Sequence, residues 1–129
     1  MSIGNKITKY FSNHAETSEN HWDKPLQTHY YKAMKDKVFQ TLENLFTTKQ
    51  EFQINSTSEE RGEMSVSVKK GKKAFIVVTV IMVSPNRTAV DFSVTTESVI
   101  PMDFGYSSKL INRLYEDLNK ELILLDQRN

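Results

Sequence analysis

The longest apolar run in the chain lies at residues 73–83 and reads Lys-Ala-Phe-Ile-Val-Val-Thr-Val-Ile-Met-Val. A helix needs about 20 apolar residues to cross a bilayer, so this run is too short to span a membrane as a helix. It is rich in β-branched residues, and turn-forming residues bound it, with Gly71 before it and Pro85 and Asn86 after it. This pattern indicates a buried strand that is apolar on both faces. We therefore expect residues 73–83 to form the central strand of a sheet.

The composition indicates one globular domain and restricts the class of function. The chain has 129 residues, a length typical of a single domain. It contains no cysteine, which excludes disulfides, thiolate metal ligands and a cysteine nucleophile and fits a reducing compartment. Its 17 Lys and Arg nearly balance its 16 Asp and Glu, so the basic excess typical of nucleic-acid-binding proteins is missing. The first residues lack the continuous apolar segment of a secretory signal. We expect a soluble cytoplasmic protein with no membrane span.

Residues 1–25 are predicted to form an N-terminal arm. Ile3, Ile7, Tyr10 and Phe11 are spaced i, i+4, i+7 and i+8, which places them on one side of a short amphipathic helix. A helix of this length is marginal by itself, so we expect it to dock on another surface. The polar residues 12–25 are predicted to form a loop or linker.

Residues 26–129 are predicted to form a single α+β domain with the element order β-α-β-β-β-β-α. Alternating periods of two and of 3.6 residues predict strands at 26–32, 52–57, 63–69, 73–83 and 89–95 and helices at 33–47 and 107–126. Short connections make the four consecutive strands an antiparallel meander. The two amphipathic helices have enough apolar surface to cover one face of the sheet. The expected architecture therefore has two layers.

The hairpin loops predict which side of the central strand faces the helices. Two-residue loops at 71–72 and 85–86 would place Val66 opposite Val77 and Val77 opposite Val94. Both hairpins then direct the odd-numbered side of the strand toward the apolar sides of its neighbours. The side predicted to lie in the core comprises Phe75, Val77, Thr79 and Ile81.

The even-numbered side of the central strand is then predicted to be an apolar surface on an otherwise polar sheet face. Leaving it in water forgoes ~1.5–3 kcal/mol for each large side chain. The sequence leaves three alternatives for what covers this surface: the N-terminal arm, a second copy or another protein partner, or a small apolar ligand. The predicted binding surface comprises Ile76, Val78, Val80, Met82, Asp91 and Ser93.

Candidate chemistry is sparse. His14, Glu16 and His21 are residue types that bind divalent transition metals, but their spacing matches no established ligand signature. No serine lies in a G-x-S-x-G motif, and no glycine-rich phosphate loop is present among the 4 glycines. Asp91, beside the apolar surface, is the residue that we favour for any site chemistry. The sequence predicts no catalytic residue and no cofactor.

Several segments resemble uncharacterised small cytosolic proteins of Bacillus-type bacteria. They are residues 26–32 (LQTHYYK), 69–75 (KKGKKAF), 91–97 (DFSVTTE) and 101–105 (PMDFG). The resemblance implies a bacterial cytosolic protein and carries no functional residue across. The order of elements is also similar to half of a TATA-binding-protein-like unit or to a reduced helix-grip fold, and both use a sheet face for binding. Because fold does not imply function, this similarity indicates a surface and not an activity.

These patterns predict a non-enzymatic binding or assembly module that uses the sheet face opposite the helices. Self-association as a homodimer, or binding of a protein partner, is the first hypothesis. The alternative is a carrier of a small apolar ligand held against the sheet. A third hypothesis is a metal-dependent enzyme that uses His14, Glu16 and His21.

Overall fold

The structure of the protein is a computed structural model that describes residues 14–97 and 105–125. The described residues form seven strands, two α-helices and one short 3-10 helix at Lys24–Leu26. In chain order the elements are β1 (His14–Glu16), β2 (His29–Tyr31), α1 (Lys35–Thr48), β3 (Phe52–Ser58), β4 (Glu63–Val68), β5 (Ala74–Ser84), β6 (Arg87–Thr96), α2 (Tyr106–Glu121) and β7 (Leu124–Leu125).

The strands form one antiparallel sheet in the order β3-β4-β5-β6-β2-β7. β1 also pairs with β6, so β1 and β2 lie end to end along the edge of β6 that faces away from β5. β5 is the longest strand, with 11 residues, and lies between β4 and β6 as the apolar run predicts. The predicted α+β fold with an antiparallel sheet and two helices is confirmed.

Both helices pack on the same face of the sheet, because each carries an apolar stripe at helical spacing. α1 contacts β3 and β5, and α2 contacts β6 and β1. The two helices also contact each other, so together they cover the core on this face of the sheet. The side chains that they bury include Val38, Phe39, Leu42 and Phe46 from α1 and Leu110, Ile111, Leu114 and Leu118 from α2.

The C-terminal and N-terminal segments of the chain differ from the prediction. α2 ends at Glu121, because Leu122 takes an extended conformation and stays buried. Residues 124 and 125 then pair with β2 as β7 instead of continuing the helix to residue 126. The predicted loop at 12–25 contains β1 and the 3-10 helix. The predicted helix bearing Ile3, Ile7, Tyr10 and Phe11 lies outside the described residues.

The predicted register between β4 and β5 is wrong by one residue. Val68 pairs with Ala74 and Val66 pairs with Ile76, so the connecting loop contains the five residues 69–73 and not two. Side chains alternate between the two faces of a strand, so a one-residue shift reverses every side chain of β5. The even-numbered side of β5 therefore faces the helices.

The register between β5 and β6 changes for a second reason. The predicted two-residue loop at 85–86 is confirmed, because Ser84 pairs with Arg87 and Asn86 has a φ of 58°. A β-bulge between Met82 and Ser84 then shifts the pairing, so Met82 and not Val83 lies opposite Thr88. In both hairpins the observed pairing therefore differs from the predicted pairing by one residue, in the same direction.

These shifts correct half of the predicted binding surface. Ile76 and Val78 have no exposed surface and Val80 is 1% exposed, because they pack in the core under the helices. They cannot be reached by a ligand or a partner in the folded protein. Conversely, the odd-numbered residues Phe75 and Ile81, predicted to lie in the core, face the opposite side of the sheet and are exposed.

Candidate functional site

The sheet face opposite the helices, called the outer face below, has an apolar centre. Phe75, Val77 and Ile81 of β5 form what we call the apolar stripe. Phe75 is 42% exposed and Ile81 is 52% exposed, while Val77 is half-buried. An antiparallel sheet with one solvated face usually alternates apolar and polar residues along each strand. β4 and β6 follow that rule, whereas β5 departs from it.

Hydroxyl-bearing residues border the apolar stripe on both sides. Phe75 lies between Ser67 of β4 and Thr95 of β6. Two residues further along β5, Val77 lies between Ser65 and Ser93. Beyond β4, the hydroxyls of Ser65 and Ser67 bond to β3 side chains, namely Ser56 at 2.7 Å and Asn55 at 2.8 Å. The outer face therefore has an apolar centre and a polar border.

Two further apolar residues are exposed near the end of β5, although the even-numbered Met82 belongs to the side that faces the helices. Met82 is 39% exposed and Val83 is 52% exposed, and both lie at the β-bulge that precedes the β5–β6 loop. Of the six residues predicted for the binding surface, Met82, Asp91 and Ser93 keep accessible surface.

Asp91 lies on the outer face in the gap between the end of β1 and the start of β2. It pairs with Thr79 of β5. Its Oδ1 accepts hydrogen bonds from Thr17 Oγ1 and from Thr28 Oγ1, each at 2.6 Å. Both threonines are buried. Hydrogen bonds to a charged acceptor are stronger than neutral ones. Asp91 thus joins two segments that flank the 3-10 helix to the sheet, and this is a structural role.

Thr17 connects Asp91 to the core. Its Oγ1 accepts the backbone N–H of Phe92 at 3.0 Å. The Tyr115 hydroxyl lies 3.3 Å from Thr17 Oγ1 and donates to the Val90 carbonyl at 2.6 Å. Burial raises the pKa of Tyr115 well above its usual value, so its hydroxyl stays protonated at neutral pH.

His29 packs flat on Tyr115. The two rings are nearly parallel, with centroids 3.5 Å apart. Burial lowers the pKa of His29, against the opposing effects of its hydrogen bond to the Gln27 carbonyl and of the charge on Asp91. His29 Nδ1 lies 2.9 Å from the Gln27 carbonyl oxygen. This oxygen is an acceptor, so in the neutral ring Nδ1 carries the proton.

Tyr30 is enclosed by charged groups on the outer face. Its hydroxyl donates to Glu19 Oε1, and the Arg87 guanidinium lies 4.5 Å from the centroid of its ring. Burial, followed by the hydrogen bond to Glu19, raises the pKa of Tyr30 to about 12. The phenol is therefore protonated at neutral pH and is a poor general base.

Two of the three residues proposed as metal ligands are neighbours, and His21 makes a different contact. His14 and Glu16 are both on β1, where His14 Nε2 lies 3.7 Å from Glu16 Oε1. His21 is in the following loop, and its Nδ1 accepts the backbone N–H of Asp23 at 3.0 Å. Across residues 14–97 and 105–125, no group of three or more His, Cys, Asp or Glu side chains is placed to hold a metal ion.

A shallow groove adjoins the apolar stripe at the β3–β4 hairpin. Its volume is about 270 Å³, slightly below the ~300–1,000 Å³ of most small-molecule sites. Val77 and Met64 form its apolar part, and Arg61 and Glu63 supply charge. Serine and threonine residues of β3 and β4 complete the lining.

Sequence reasoning assigned Phe75, Val77 and Ile81 to the core, although one signal could have placed them correctly. The odd-numbered side of β5 includes Thr79, whereas the even-numbered side from Ala74 to Met82 contains no polar residue. A buried hydroxyl needs a hydrogen-bond partner, so the fully apolar side is the better candidate for the core.

No family model matches this chain, and no curated protein matches it. Among the described residues, neither helix has the length and apolar character that crossing a membrane requires.

Proposed function

We propose that this protein is a non-enzymatic assembly module and that its outer face binds a second copy of the chain. The observation that carries the proposal is the apolar stripe, which includes two large side chains, Phe75 and Ile81, that are 42% and 52% exposed at the centre of a sheet. Burying a large apolar side chain is worth ~1.5–3 kcal/mol. Contact between two outer faces would recover much of this free energy from both copies.

The distribution of polarity on the outer face supports a protein interface. Protein–protein interfaces have an apolar core and a polar rim. The apolar stripe fits the core, and the serines and threonines of β4 and β6 fit the rim. In a two-fold dimer the same surface binds itself. The uncharged hydroxyls beside Phe75 and Val77 suit such self-contact, whereas the carboxylates of Glu63 and Asp91 flank Thr79 and belong at the edge of the contact. Two sheets can pack face to face at a separation of about 10 Å.

The size of the outer face predicts a weak dimer. The five strand positions from β3 to the edge that β1 and β2 share lie about 4.8 Å apart. With a length of about 25 Å they give a footprint on the order of 600 Å² per copy. Both copies together would then bury about 1,200 Å², the lower limit of standard interfaces. We expect a dissociation constant in the micromolar range and an equilibrium that depends on protein concentration.

The test compares one substitution at two exposed isoleucines. Ile81→Lys places a charge in the apolar stripe, whereas Ile123→Lys places the same charge in a groove that Met34 and Lys37 of the helix layer also line. Sedimentation velocity over a range of concentrations measures self-association. We expect Ile81→Lys to be monomeric and Ile123→Lys to match the wild type. A wild type that stays monomeric at hundreds of micromolar, or equal behaviour of the two variants, would contradict the proposal.

The groove beside Val77 supports the second candidate function, carriage of a small apolar ligand. Its apolar lining continues into the apolar stripe, and Arg61 is placed to attract an anionic headgroup. Native mass spectrometry of the purified protein, and analysis of its organic extract, would detect a bound species. Repeated spectra of ligand-free protein, with no species in the extract, would remove this candidate. The cytoplasmic location and bacterial origin that the sequence implies stay predictions.

A further inference from the structure

We propose that the loop between β4 and β5 binds an anionic lipid surface. This loop, called the lysine loop below, comprises Lys69, Lys70, Gly71, Lys72 and Lys73. The whole chain has 17 Lys and Arg against 16 Asp and Glu, so four lysines in this loop are a local excess of positive charge. The inference goes beyond the proposed function and does not depend on it, because the lysine loop lies at one end of the sheet and outside the apolar stripe.

The backbone of the lysine loop is fixed by its neighbours. The Glu97 N–H, at the end of β6, donates to the Lys73 carbonyl at 3.0 Å. The Tyr106 hydroxyl, at the start of α2, donates to the Lys72 carbonyl at 3.4 Å. A surface that is ordered before it binds loses less conformational freedom on binding. The lysine loop is therefore prepared to present its side chains to a partner.

The four ammonium groups are accessible and are not neutralised by the part of the chain that the structure describes. Three of these lysines are exposed and Lys72 is half-buried. Within residues 14–97 and 105–125, no carboxylate forms an ion pair with any of the four. Glu51, whose carbonyl accepts the Lys69 N–H at 2.7 Å, has its carboxylate held by Arg113 at 2.8 Å. Among these neighbours, only the exposed Glu97 offsets part of the charge.

The ammonium groups are spread over the end of the molecule and do not converge on one point. Lys70 Nζ donates to Oε1 of Gln50, between α1 and β3, at 2.9 Å. Lys72 Nζ instead lies 5.7 Å from the centroid of the Tyr106 ring. Lys109, exposed one turn after Tyr106 on α2, extends the basic area. A single phosphate needs several donors aimed at the same oxygens, whereas an array of anionic headgroups matches charges that are spread out.

The opposite end of β4 carries the opposite charge. Residues 59–63 contain three carboxylates, those of Glu59, Glu60 and Glu63, and Arg61 is the cation among them. β4 has six residues and is therefore about 20 Å long, which exceeds the Debye length of about 8 Å at physiological salt. A planar surface can contact the basic end alone and leave the acidic end in water. The charge asymmetry thus orients the protein on an anionic surface.

The chemistry of the lysine loop favours lipid headgroups over nucleic acid. Nucleic-acid sites use arginine for bidentate contacts and aromatic faces for stacking on bases. The lysine loop contains no arginine, and the Tyr106 ring and hydroxyl beside it already contact Lys72. Lysine acts as a point charge, and each one that approaches an anionic leaflet raises the affinity about fivefold.

Sedimentation of the full chain with lipid vesicles measures the attachment. Vesicles of pure phosphatidylcholine are compared with vesicles that contain about one third phosphatidylserine, at protein concentrations too low for self-association. We expect binding to the anionic vesicles only, and its loss at about 1 M salt, where the Debye length is about 3 Å. An absence of binding to the anionic vesicles at low salt would overturn the inference.

Variants in the lysine loop test whether this loop makes the contact. Lys69→Gln and Lys73→Gln should each weaken binding about fivefold, and the two together about 25-fold. Lys69→Arg combined with Lys73→Arg keeps the charge and should bind like the wild type. The matched control is Lys32→Gln combined with Lys37→Gln, which removes the same charge from two exposed lysines that line the groove of the helix layer. Equal weakening by the control would assign binding to net charge and overturn the role of the lysine loop.

Competitors identify the source of the negative charge. Inorganic phosphate that displaces the protein from vesicles at constant ionic strength would indicate a site for a single phosphate. Tighter binding to single-stranded RNA than to anionic vesicles would indicate a nucleic-acid surface. Either result would overturn the inference. Because these measurements use the monomer, a failure of the proposed dimer leaves them unaffected, and an absence of vesicle binding leaves the proposed function standing.

Discussion

Replacing Val78 and Val77 with threonine, one at a time, tests which side of β5 lies in the core. The substitution exchanges a methyl group for a hydroxyl of similar size, so it leaves no cavity and reports mainly the polarity of the site. Val78 has no exposed surface and pairs with Met64 and Phe92, each 1% exposed. Val77 is half-buried between Ser65 and Ser93.

The two substitutions should differ by several-fold in their effect on stability. A hydroxyl buried without a partner costs about 1–3 kcal/mol, and neither Met64 nor Phe92, the residues paired with Val78, offers an acceptor oxygen in its side chain. On the outer face, Val77→Thr places the hydroxyl beside two serines, where a cross-strand hydrogen bond can form. We expect its effect to stay within about 0.5 kcal/mol, as for most surface substitutions.

Urea denaturation followed by circular dichroism measures both effects. The protein concentration should be far below the dimer constant, because self-association would add to the apparent stability. For Val78→Thr we expect the midpoint to fall by about 1 M with an unchanged m-value. A larger loss for Val77→Thr than for Val78→Thr would refute the register and return the odd-numbered side of β5 to the core.

Four further substitutions, at two glycines, one tyrosine and one histidine, are tested in the same assay. At Gly62, where φ is +69°, an added Cβ would lie 2.1 Å from the Val80 carbonyl oxygen, whereas at Gly71, where φ is +75°, it would meet nothing within 4 Å. Gly71→Ala should therefore cost about 1–2 kcal/mol from the backbone alone, and Gly62→Ala substantially more. Tyr115→Phe leaves a buried carbonyl of β6 without its 2.6 Å hydroxyl donor, and we expect a loss of about 1–3 kcal/mol. The pKa of His29 is lower in the folded protein than its usual 6.5, so the unfolded chain binds more protons and stability should fall as the pH decreases below about 6.5. His29→Phe should remove this part of the pH dependence, and an unchanged slope between pH 7 and pH 5 would show that other groups cause it.

The order of the seven predicted elements followed from the sequence because these elements have a clear period, whereas β1 and β7, with three and two residues, are too short to show one. In β6, Val90, Phe92 and Val94 alternate with polar residues, and the structure buries all three. The stripe of α1 was equally clear, and its observed bounds of Lys35–Thr48 differ from the prediction by one or two residues. Periodicity identifies the buried side of such elements because only one of their sides is apolar.

The pairing register of β5 with β4 and β6 could not be predicted from periodicity. Residues 69–73 consist of four lysines and Gly71, and this composition suits a two-residue turn as well as the observed five-residue loop. The bulge between Met82 and Ser84 has no sequence marker of its own. For most strands a mismatch of polarity would reveal the error. β5 tolerates either register because both of its sides are largely apolar.

The site of Asp91 shows a different limit. The sequence placed Asp91 correctly on the outer face, but its partners Thr17 and Thr28 are 74 and 63 residues away in the chain. Neither threonine belongs to a motif, and both lie in or beside a segment that was predicted to be a loop. Contacts of this kind depend on how β1 and β2 share the edge of β6, which local patterns do not encode.

Because β5 is apolar on both sides, the error in register did not change which face of the sheet carries the proposed site. Whichever side is buried, the other side leaves an apolar stripe at the centre of the outer face. A strand needs only one apolar side to fill a core, so the second one calls for a partner surface.

Phe75→Thr combined with Ile81→Thr would give β5 the alternation of β4 and β6. We expect this variant to keep its fold, with a change in unfolding free energy of at most about 1 kcal/mol, because threonine is also a strand former and both positions are exposed. Its self-association should be lost. A loss of stability of several kcal/mol in the monomer would instead mean that the apolar stripe belongs to the intramolecular core, and the outer face would then no longer be a site for a second copy.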